Sequence, residues 1–325
     1  MRKSDQDYFA AAAQLSDTLL RPAAPQIAGK RLLIVAEGIL QYLPFCALPE
    51  PGKQAPLMVE HEVVTAPSAS VLALLRQETA ARKPAQQLLF VAADPVYSEK
   101  DSRLEQHRIE AVAFKKSGAS RGTDSGAAYD SEPFLRLRFS RTEAEQIASL
   151  VPAAEIVKAF DFDANRDALM NSNLARFRIL HFATHSLLDD ERPEFSGIVL
   201  SLVDSAGRRQ NGFLRLFDIY NLRLNADLVV LSACRTALGA EIRGEGLIGL
   251  TRGFFYAGAP RVLASSWQID DRTGAAFMKP FYEAMLVRHE RPAAALRSAQ
   301  IAMWRTKGWD VPYYWAAFTM QGEWK

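Results

Sequence analysis

The stretch LHFATHSLLDDE, residues 180–191, and the stretch LVVLSACRTALG, residues 228–239, decide the predicted fold and its site. Each begins with a continuous run of apolar residues, which is typical of a strand buried on both faces of a sheet. Each then reaches a reactive side chain, His185 in the first and Cys234 in the second. Because ligands and catalytic groups of open α/β sheets gather beyond the carboxyl ends of the strands, we expect these two side chains to share a site.

The remaining chain alternates between predicted helices and predicted strands. Apolar residues at helical spacing predict a helix over residues 7–20, and from residue 141 onward apolar strands and helices follow each other regularly. Residues 31–49 are expected to form a strand, a turn at Glu37-Gly38 and a short second strand. The alternation predicts an α/β fold with a mostly parallel sheet that helices cover on both faces.

One long polar stretch indicates how the chain is divided. Its centre, KKSGASRGTDSGAAYDSEP, has no folding pattern, and loops of this length are usually functional or disordered. We interpret the stretch as a solvated insertion that could also act as a gate. The expected parts are an N-terminal helix with a linker (1–29) and one domain (30–325), itself divided into an N-terminal lobe (30–95), the polar insertion (96–140) and a catalytic lobe (141–325).

Charge and cysteine content exclude several classes of protein. The 39 basic and 37 acidic residues leave a formal charge of +2, which gives no reason to expect nucleic acid or an anionic membrane as a partner. Asp5 and Asp7 interrupt any apolar leader at the N-terminus, and no uncharged apolar run reaches the ~18 residues of a membrane span. The two cysteines, Cys46 and Cys234, have no paired spacing, which disfavours disulfides and structural zinc. We therefore expect a soluble cytoplasmic protein.

The two reactive side chains suggest nucleophilic chemistry. His181 and His185 are four apart in the predicted strand, so they are expected on one face, His181 within the core and His185 at the rim. Cys46 lies in an apolar segment and is interpreted as an inert core thiol. Cys234 precedes a turn of small residues, and the charge of Arg235 would favour its thiolate. A cysteine nucleophile needs an imidazole within reach as base and then as acid.

The spacing of the two residues agrees with a caspase type of site. In caspases a cysteine within Q-A-C-[RQG]-G is paired with a histidine about 50 residues upstream. Here the cysteine stands in SACRT, and His185 lies 49 positions before Cys234.

An ordered set of blocks over nearly all of residues 7–325 resembles the CHAT domain. This is a caspase-like and separase-like bacterial cysteine peptidase domain that often follows tetratricopeptide repeats. The blocks are LLIVAEGILQYLPFCALP, PSASVL, VAADPVY, RTEAEQIASL, LHFATHS, DLVVLSACRTALG, EGLIGLTRGFFYAGAPRVLASSWQIDD and YYWAAFTMQG.

The resemblance implies a caspase-like (caspase-haemoglobinase) fold and a Cys234–His185 dyad. The oxyanion would be bound by the backbone N–H groups of Cys234 and of Ser186, which stands where related sites commonly have glycine. By analogy with separase, the N-terminal lobe would be a degenerate protease-like lobe.

The resemblance also points to Ser232, two residues before the cysteine, as part of the substrate pocket. Being small and neutral, it favours neither an acidic nor a basic cleavage site. Four acidic loop residues could supply a negative pocket: Asp189, Asp190, Asp270 and Asp271.

These features predict a cysteine endopeptidase that needs no cofactor or metal. Its partners would be a protein substrate and a regulatory repeat region or protein, with no direct binding to nucleic acid or membrane. One alternative is a non-catalytic interaction module with the same fold. A more remote alternative is a dinucleotide-binding oxidoreductase, because GEGLIG at residues 244–249 fits G-x-G-x-x-G. That motif requires a tight turn directly after the strand, whereas here nine residues separate Gly244 from Cys234.

Overall fold

The computed structural model describes residues 5–105, 134–189, 192–232, 235–236 and 245–324. The α-helices in these ranges are α1 (Asp5–Leu19), α2 (Ala24–Ile27), α3 (Ala69–Thr79), α4 (Arg138–Ala148), α5 (Arg166–Asn171), α6 (Leu216–Tyr220), α7 (Glu245–Ala257), α8 (Asp271–Tyr282), α9 (Pro292–Trp304) and α10 (Pro312–Trp315). The strands are β1 (Leu32–Ile34), β2 (Val63–Thr65), β3 (Gln87–Pro95), β4 (Ile156–Asp161), β5 (Phe177–Ala183), β6 (Ser186–Leu188), β7 (Gly197–Val199), β8 (Phe213–Arg215), β9 (Leu228–Leu231), β10 (Arg235–Thr236), β11 (Arg261–Ser265) and β12 (Phe318–Gly322).

The main sheet has eight strands in the order β1-β2-β12-β11-β9-β5-β3-β4. Its neighbours pair in parallel except β11 and β12, which are antiparallel. The described residues also form a smaller sheet of four strands, β10-β6-β7-β8. The predicted mostly parallel sheet is therefore confirmed, and β5 and β9 lie side by side near its centre.

Alternating residues of the central strands enter two separate hydrophobic cores. Ile179 and Val230 belong to a core that includes residues of α8 and α9, whereas Leu180 and Val229 belong to a core that includes residues of α7. Since successive side chains of a strand point to opposite faces, the cores lie on opposite sides of the sheet. Helices cover both faces, as the sequence predicts.

Several local predictions can be checked against these elements. The N-terminal helix is confirmed as α1, and Ser68 caps α3 by accepting a hydrogen bond from the Val71 N–H at 3.1 Å. The second strand expected within residues 31–49 is wrong, because Gly38–Tyr42 form a 3₁₀ helix. Gly38 takes a left-handed φ of +55°, which turns the chain away from the line of β1.

Only parts of the polar insertion are described. Residues 96–105 and 134–140 belong to the described ranges, and residues 106–133 lie outside them. The division of the chain into two lobes stays a prediction. Among the helices in the described ranges, none has both the length and the apolar character needed to cross a membrane.

Candidate active site

The carboxyl ends of β5 and β9 meet at one edge of the main sheet. Phe182 pairs with Leu231 in the parallel ladder, and the N–H of Ser232 donates to the Phe182 carbonyl at 3.0 Å. His185 follows the end of β5 by two residues, and Ser232 directly follows β9. The two predicted stretches therefore converge, although Cys234 itself lies outside the described residues.

His185 is fixed on several sides and is only 7% exposed. Its backbone N–H donates to the Tyr97 hydroxyl at 3.2 Å, and its carbonyl accepts from the Val199 N–H at 2.8 Å. The ring centroids of Tyr97 and Phe134 lie 5.1 and 5.4 Å from that of the imidazole. Because β5 ends at Ala183, the alternation of side chains along the strand does not extend to His185. Strand geometry therefore does not put His181 and His185 on one face of the sheet, as the sequence had suggested.

One hydrogen bond determines which ring nitrogen of His185 carries a proton. Nε2 lies 2.7 Å from the carbonyl oxygen of Leu135. A carbonyl oxygen can only accept, so Nε2 must be the donor in either charge state of the ring. In the neutral ring Nδ1 then carries the lone pair. The imidazole is thus set to accept a proton at Nδ1 and to return it there, as a general base and acid must.

The smaller sheet brings the chain beyond Cys234 next to the chain beyond His185. Arg235 of β10 pairs in parallel with Leu187 of β6. On the other side of β6, the Val199 N–H bonds to the His185 carbonyl, and Ser186 is the next residue, opposite Ile198. Because hydrogen-bonded and non-bonded pairs alternate in an antiparallel ladder, the Ser186 N–H points away from β7. It is therefore directed to the side on which β10 lies.

A small cavity of about 20 Å³ adjoins Ser232. Asp271 belongs to its wall, and one of its carboxylate oxygens accepts a hydrogen bond from the Phe139 N–H. Burial, together with the nearby carboxylates of Glu143, Asp94 and Asp270, raises the pKa of Asp271 to about 6 despite that hydrogen bond. The lining residues are Leu137, Ser140, Glu143, Ala183, Ser232, Ile269, Asp270, Asp271 and Gly274.

The four acidic residues predicted for the pocket do not all lie together. Asp270 and Asp271 both line the cavity, but Asp270 also caps α8 by accepting from the Thr273 N–H at 3.0 Å. Asp189 is not among the lining residues, and its carboxylate accepts from the Arg192 N–H at 2.8 Å. Asp190 lies outside the described residues.

A buried polar network lies on the α4 and α8 side of the main sheet. His181, fully buried, contacts the Tyr282 hydroxyl through Nδ1 at 2.9 Å and the Glu143 carboxylate through Nε2 at 2.8 Å. Burial raises the pKa of Tyr282 well above its usual range, which keeps the phenol neutral. Both ring nitrogens of His181 are thus hydrogen-bonded, in agreement with its interpretation as a core histidine. Glu143 also lines the cavity beside Ser232, a role the sequence analysis did not assign to it.

Cys46 and Gly246 have packing roles. Cys46 is buried, and burial raises the pKa of its thiol to about 12, as expected for an inert core thiol. Gly246 of the G-x-G-x-x-G match lies where a Cβ atom would come within 2.9 Å of Ser196 Oγ and 3.1 Å of Asp189 N. That position therefore requires glycine for close packing of α7. Gly244, the first glycine of the match, lies outside the described residues.

Two curated relatives are similar to part of the chain. Tetratricopeptide repeat protein 28 of Mus musculus is 35% identical over 105 residues, and that of Homo sapiens is 32% identical over 113 residues. The matches cover 32% and 35% of this chain, but only 4% of each relative. The chain therefore spans a small fraction of the length of these relatives, and both are tetratricopeptide repeat proteins, as the resemblance implies.

Solved structures are similar over most of the chain at low sequence identity. The Saccharomyces cerevisiae separase–securin complex matches with a TM-score of 0.50 and 13% identity, over 90% of this chain and 16% of that chain. The Arg-specific cysteine proteinase gingipain R of Porphyromonas gingivalis matches with a TM-score of 0.47 and 11% identity, over 82% of this chain and 55% of that chain. The fold is caspase-like, as predicted. The family model of the CHAT domain matches residues 10–323, and the chain belongs to the CHAT domain family.

Proposed function

We propose that this chain is a cysteine-type endopeptidase with Cys234 as nucleophile and His185 as its base and acid. The observation that carries the proposal is the fixed imidazole beyond the end of β5, which holds its proton on Nε2 and its lone pair on Nδ1. The adjoining end of β9 is the place from which a nucleophile would reach such a ring.

Chain connectivity supports the placement of the nucleophile. Ser232 lies two residues before Cys234, and Arg235, directly after it, pairs with Leu187. Consecutive Cα atoms are about 3.8 Å apart, so a residue between Ser232 and Arg235 stays near both. We therefore expect the Cys234 thiol at the edge of the sheet that His185 occupies.

The proposed reaction follows from these roles. The thiolate of Cys234 attacks the peptide carbonyl carbon, and the backbone N–H groups of Ser186 and Cys234 stabilise the oxyanion that forms. His185, having taken the thiol proton, donates it to the leaving amine as the C–N bond breaks. A water molecule then gives a proton to His185 and attacks the thioester, which releases the acid and restores the thiol.

The cavity beside Ser232 supplies the substrate pocket in this proposal. A cationic side chain near Asp271 would stabilise a carboxylate whose ionised form is disfavoured by burial. We therefore expect a basic residue before the cut. About 20 Å³ leaves room for roughly one water molecule, so binding such a side chain requires the cavity to widen. Regulation by repeats or a partner protein is expected because both curated relatives are repeat proteins.

Covalent labelling tests the proposal. Parent protein and His185→Ala are treated with a peptidyl chloromethyl ketone that ends in lysine, and the adduct is mapped by mass spectrometry. We expect labelling of Cys234 in the parent and a rate lower by about 100-fold or more in His185→Ala, since general acid–base catalysis contributes about 10²- to 10⁴-fold. Asp271→Asn should lose any preference for lysine over norleucine in the inhibitor.

The matched control is His289→Asn. His289 is exposed and has a left-handed φ of +57°, which asparagine tolerates, so this variant should label like the parent. Equal rates in the parent and His185→Ala, or modification of Cys46 instead of Cys234, would contradict the peptidase and favour a non-catalytic module.

A further inference from the structure

The backbone carbonyl that orients the His185 ring belongs to an exposed segment of the chain. Leu135, whose carbonyl accepts from Nε2, is 72% exposed and belongs to residues 134–137, which have no regular secondary structure. A backbone carbonyl in an exposed segment orients a ring only if the backbone beside it is anchored. The neighbouring residues show such an anchor.

Arg136 anchors the segment directly after the carbonyl. Its Nε donates to Oδ1 of Asp94 at 2.8 Å, and its Nη2 donates to Oδ2 at 2.7 Å. Two parallel hydrogen bonds between a guanidinium and a carboxylate fix direction as well as distance. The contact therefore restrains the peptide unit that joins Leu135 to Arg136, and this unit contains the carbonyl that faces His185.

Asp94 is itself held firmly beside β5. Its side chain has no exposed surface, and its neighbour Ala93 pairs with Ala183 at the end of β5. The Asp94 N–H donates to Ser140 Oγ at 3.2 Å, and the Asp94 carbonyl accepts from Arg103 Nη1 at 2.7 Å. The strand that carries Asp94 is thus in register with the strand that leads to His185.

The arginines around Asp94 are matched by carboxylates. Arg103, Arg136 and Arg141 all form ion pairs with Asp94, at 3.1, 2.7 and 3.0 Å. Asp101 and Asp161 pair with these arginines as well, and Glu145 lies 4.0 Å from Arg141, so the described residues supply at least as many carboxylates as guanidinium groups here. Each of the three guanidinium groups thus has a carboxylate partner within the part of the chain that the structure describes. The cluster is therefore complete as a structural unit, and its geometric consequence is the position of Leu135.

We propose that Arg136 and Asp94 are positioning residues for His185, acting through the Leu135 carbonyl. This inference rests on the proposed function, since it assigns the pair a part in the dyad's chemistry. When the anchor is lost, Nε2 loses a fixed acceptor. The ring can then exchange tautomers or rotate, and Nδ1 no longer carries the lone pair in every molecule. A base in the wrong tautomer cannot accept the thiol proton.

Arg136→Met tests the pair, because methionine keeps an apolar stem and removes every donor. Arg136→Lys is the conservative variant, which keeps the charge but cannot make two parallel bonds. Arg138→Met is the matched control, because this substitution removes the same charge two positions further along the chain. Arg138 forms no ion pair with any residue in the described ranges. Thermal unfolding of each variant shows whether the fold is retained.

The first readout is the tautomer of His185, observed by ¹⁵N NMR of histidine-labelled protein about 1.5 units above the ordinary histidine pKa of ~6.5. We expect the Nε2–H form in the parent and Arg138→Met, and a mixture of forms in Arg136→Met. The second readout is the rate at which iodoacetamide alkylates Cys234. We expect a fall of about 10- to 100-fold in Arg136→Met, in line with the effect of a lost orienting partner, and a smaller fall in Arg136→Lys.

The outcomes separate the two proposals. An unchanged tautomer in a folded Arg136→Met overturns the positioning role, whatever the alkylation rate. Faster alkylation in that variant also overturns it, because the segment would then obstruct the site. If the tautomer changes as expected but alkylation of Cys234 is the same in parent and His185→Ala, the positioning role stands and the peptidase is wrong.

Discussion

Replacing Asp94 by asparagine removes the central charge of the arginine cluster with little change in shape. Asparagine tolerates the left-handed φ of +51° at this position, so the backbone need not move. Its NH₂ group would, however, face the guanidinium donors of Arg136 and Arg141, which now bond to the carboxylate. In the variant, amide N–H donors therefore face guanidinium N–H donors. The three guanidinium groups also lose one carboxylate partner.

The expected loss follows from the burial of the cluster. Breaking a buried ion pair by removing one partner costs about 3–5 kcal/mol. We take the lower end, about 3 kcal/mol, because the Arg103 and Arg141 side chains are 11% and 29% exposed and both also pair with Asp161. With an unfolding entropy of about 2.1 cal/mol/K per residue, roughly 0.7 kcal/mol/K for this chain, the melting temperature should fall by about 4 °C.

Thermal unfolding followed by circular dichroism measures this loss. The matched control is Asp17→Asn, since Asp17 pairs with Arg21 at 2.6 Å and both side chains are about half exposed or more, at 48% and 64%. Such a surface pair contributes about 0–1 kcal/mol, so this variant should lose about 1 °C or less. Equal losses in the two variants would refute the reasoning, because burial would then have no effect on the cost.

Two further changes test the surroundings of the site. Burial holds the pKa of Asp271 at about 6, above its ordinary value, so its ionisation as pH rises from ~4 to ~6 destabilises the fold. The melting temperature of Asp271→Asn relative to the parent should therefore rise over that pH range. We expect a rise equivalent to about 1 kcal/mol, because the carboxyl group is partly exposed. A difference in melting temperature that stays constant with pH would argue against the raised pKa. Gly246→Ala should lower the free energy of unfolding by about 1–3 kcal/mol, because its Cβ would lie 2.9 Å from Ser196 Oγ. Gly249→Ala is the control, because the nearest contacts of its Cβ would be at 3.7 Å, and it should be neutral or stabilising by up to ~1 kcal/mol. Both variants are measured by chemical denaturation. Equal effects would show that close packing does not explain the glycine at position 246.

The convergence of β5 and β9 could be predicted because it depends on patterns that sequence carries. Apolar runs predict strands buried on both faces of a sheet. Functional groups of open α/β sheets lie beyond the carboxyl ends of the strands, and this predicts the edge of the sheet where His185 and Ser232 lie. The second strand within residues 31–49 was mispredicted for a local reason. Apolar residues near Gly38 suggested a strand, but that glycine turns the chain, and Ile39 is left 83% exposed.

The partners of His185 could not be predicted in the same way. The group on Nε2 is a backbone carbonyl, and every residue has one, so Leu135 carries no signal of its role. Tyr97 and Glu143, in contrast, do have signals in the sequence. Tyr97 follows the carboxyl end of β3, where the rule applied to His185 also holds, and Glu143 stands four residues before the buried Ile147, on the same face of α4.

The position of helix α4 connects the core to the imidazole. Near its start, Arg141 pairs with Asp94, and one turn into the helix Glu143 binds His181 in the middle of β5. Directly before the helix, Leu135 meets His185 beyond the end of the same strand. Helix and strand are therefore tied at two points, one in the core and one at the site. Any change that shifts α4 along β5 must stretch one of these contacts, so the core histidine, His181, helps to set the geometry of His185 at the edge of the sheet.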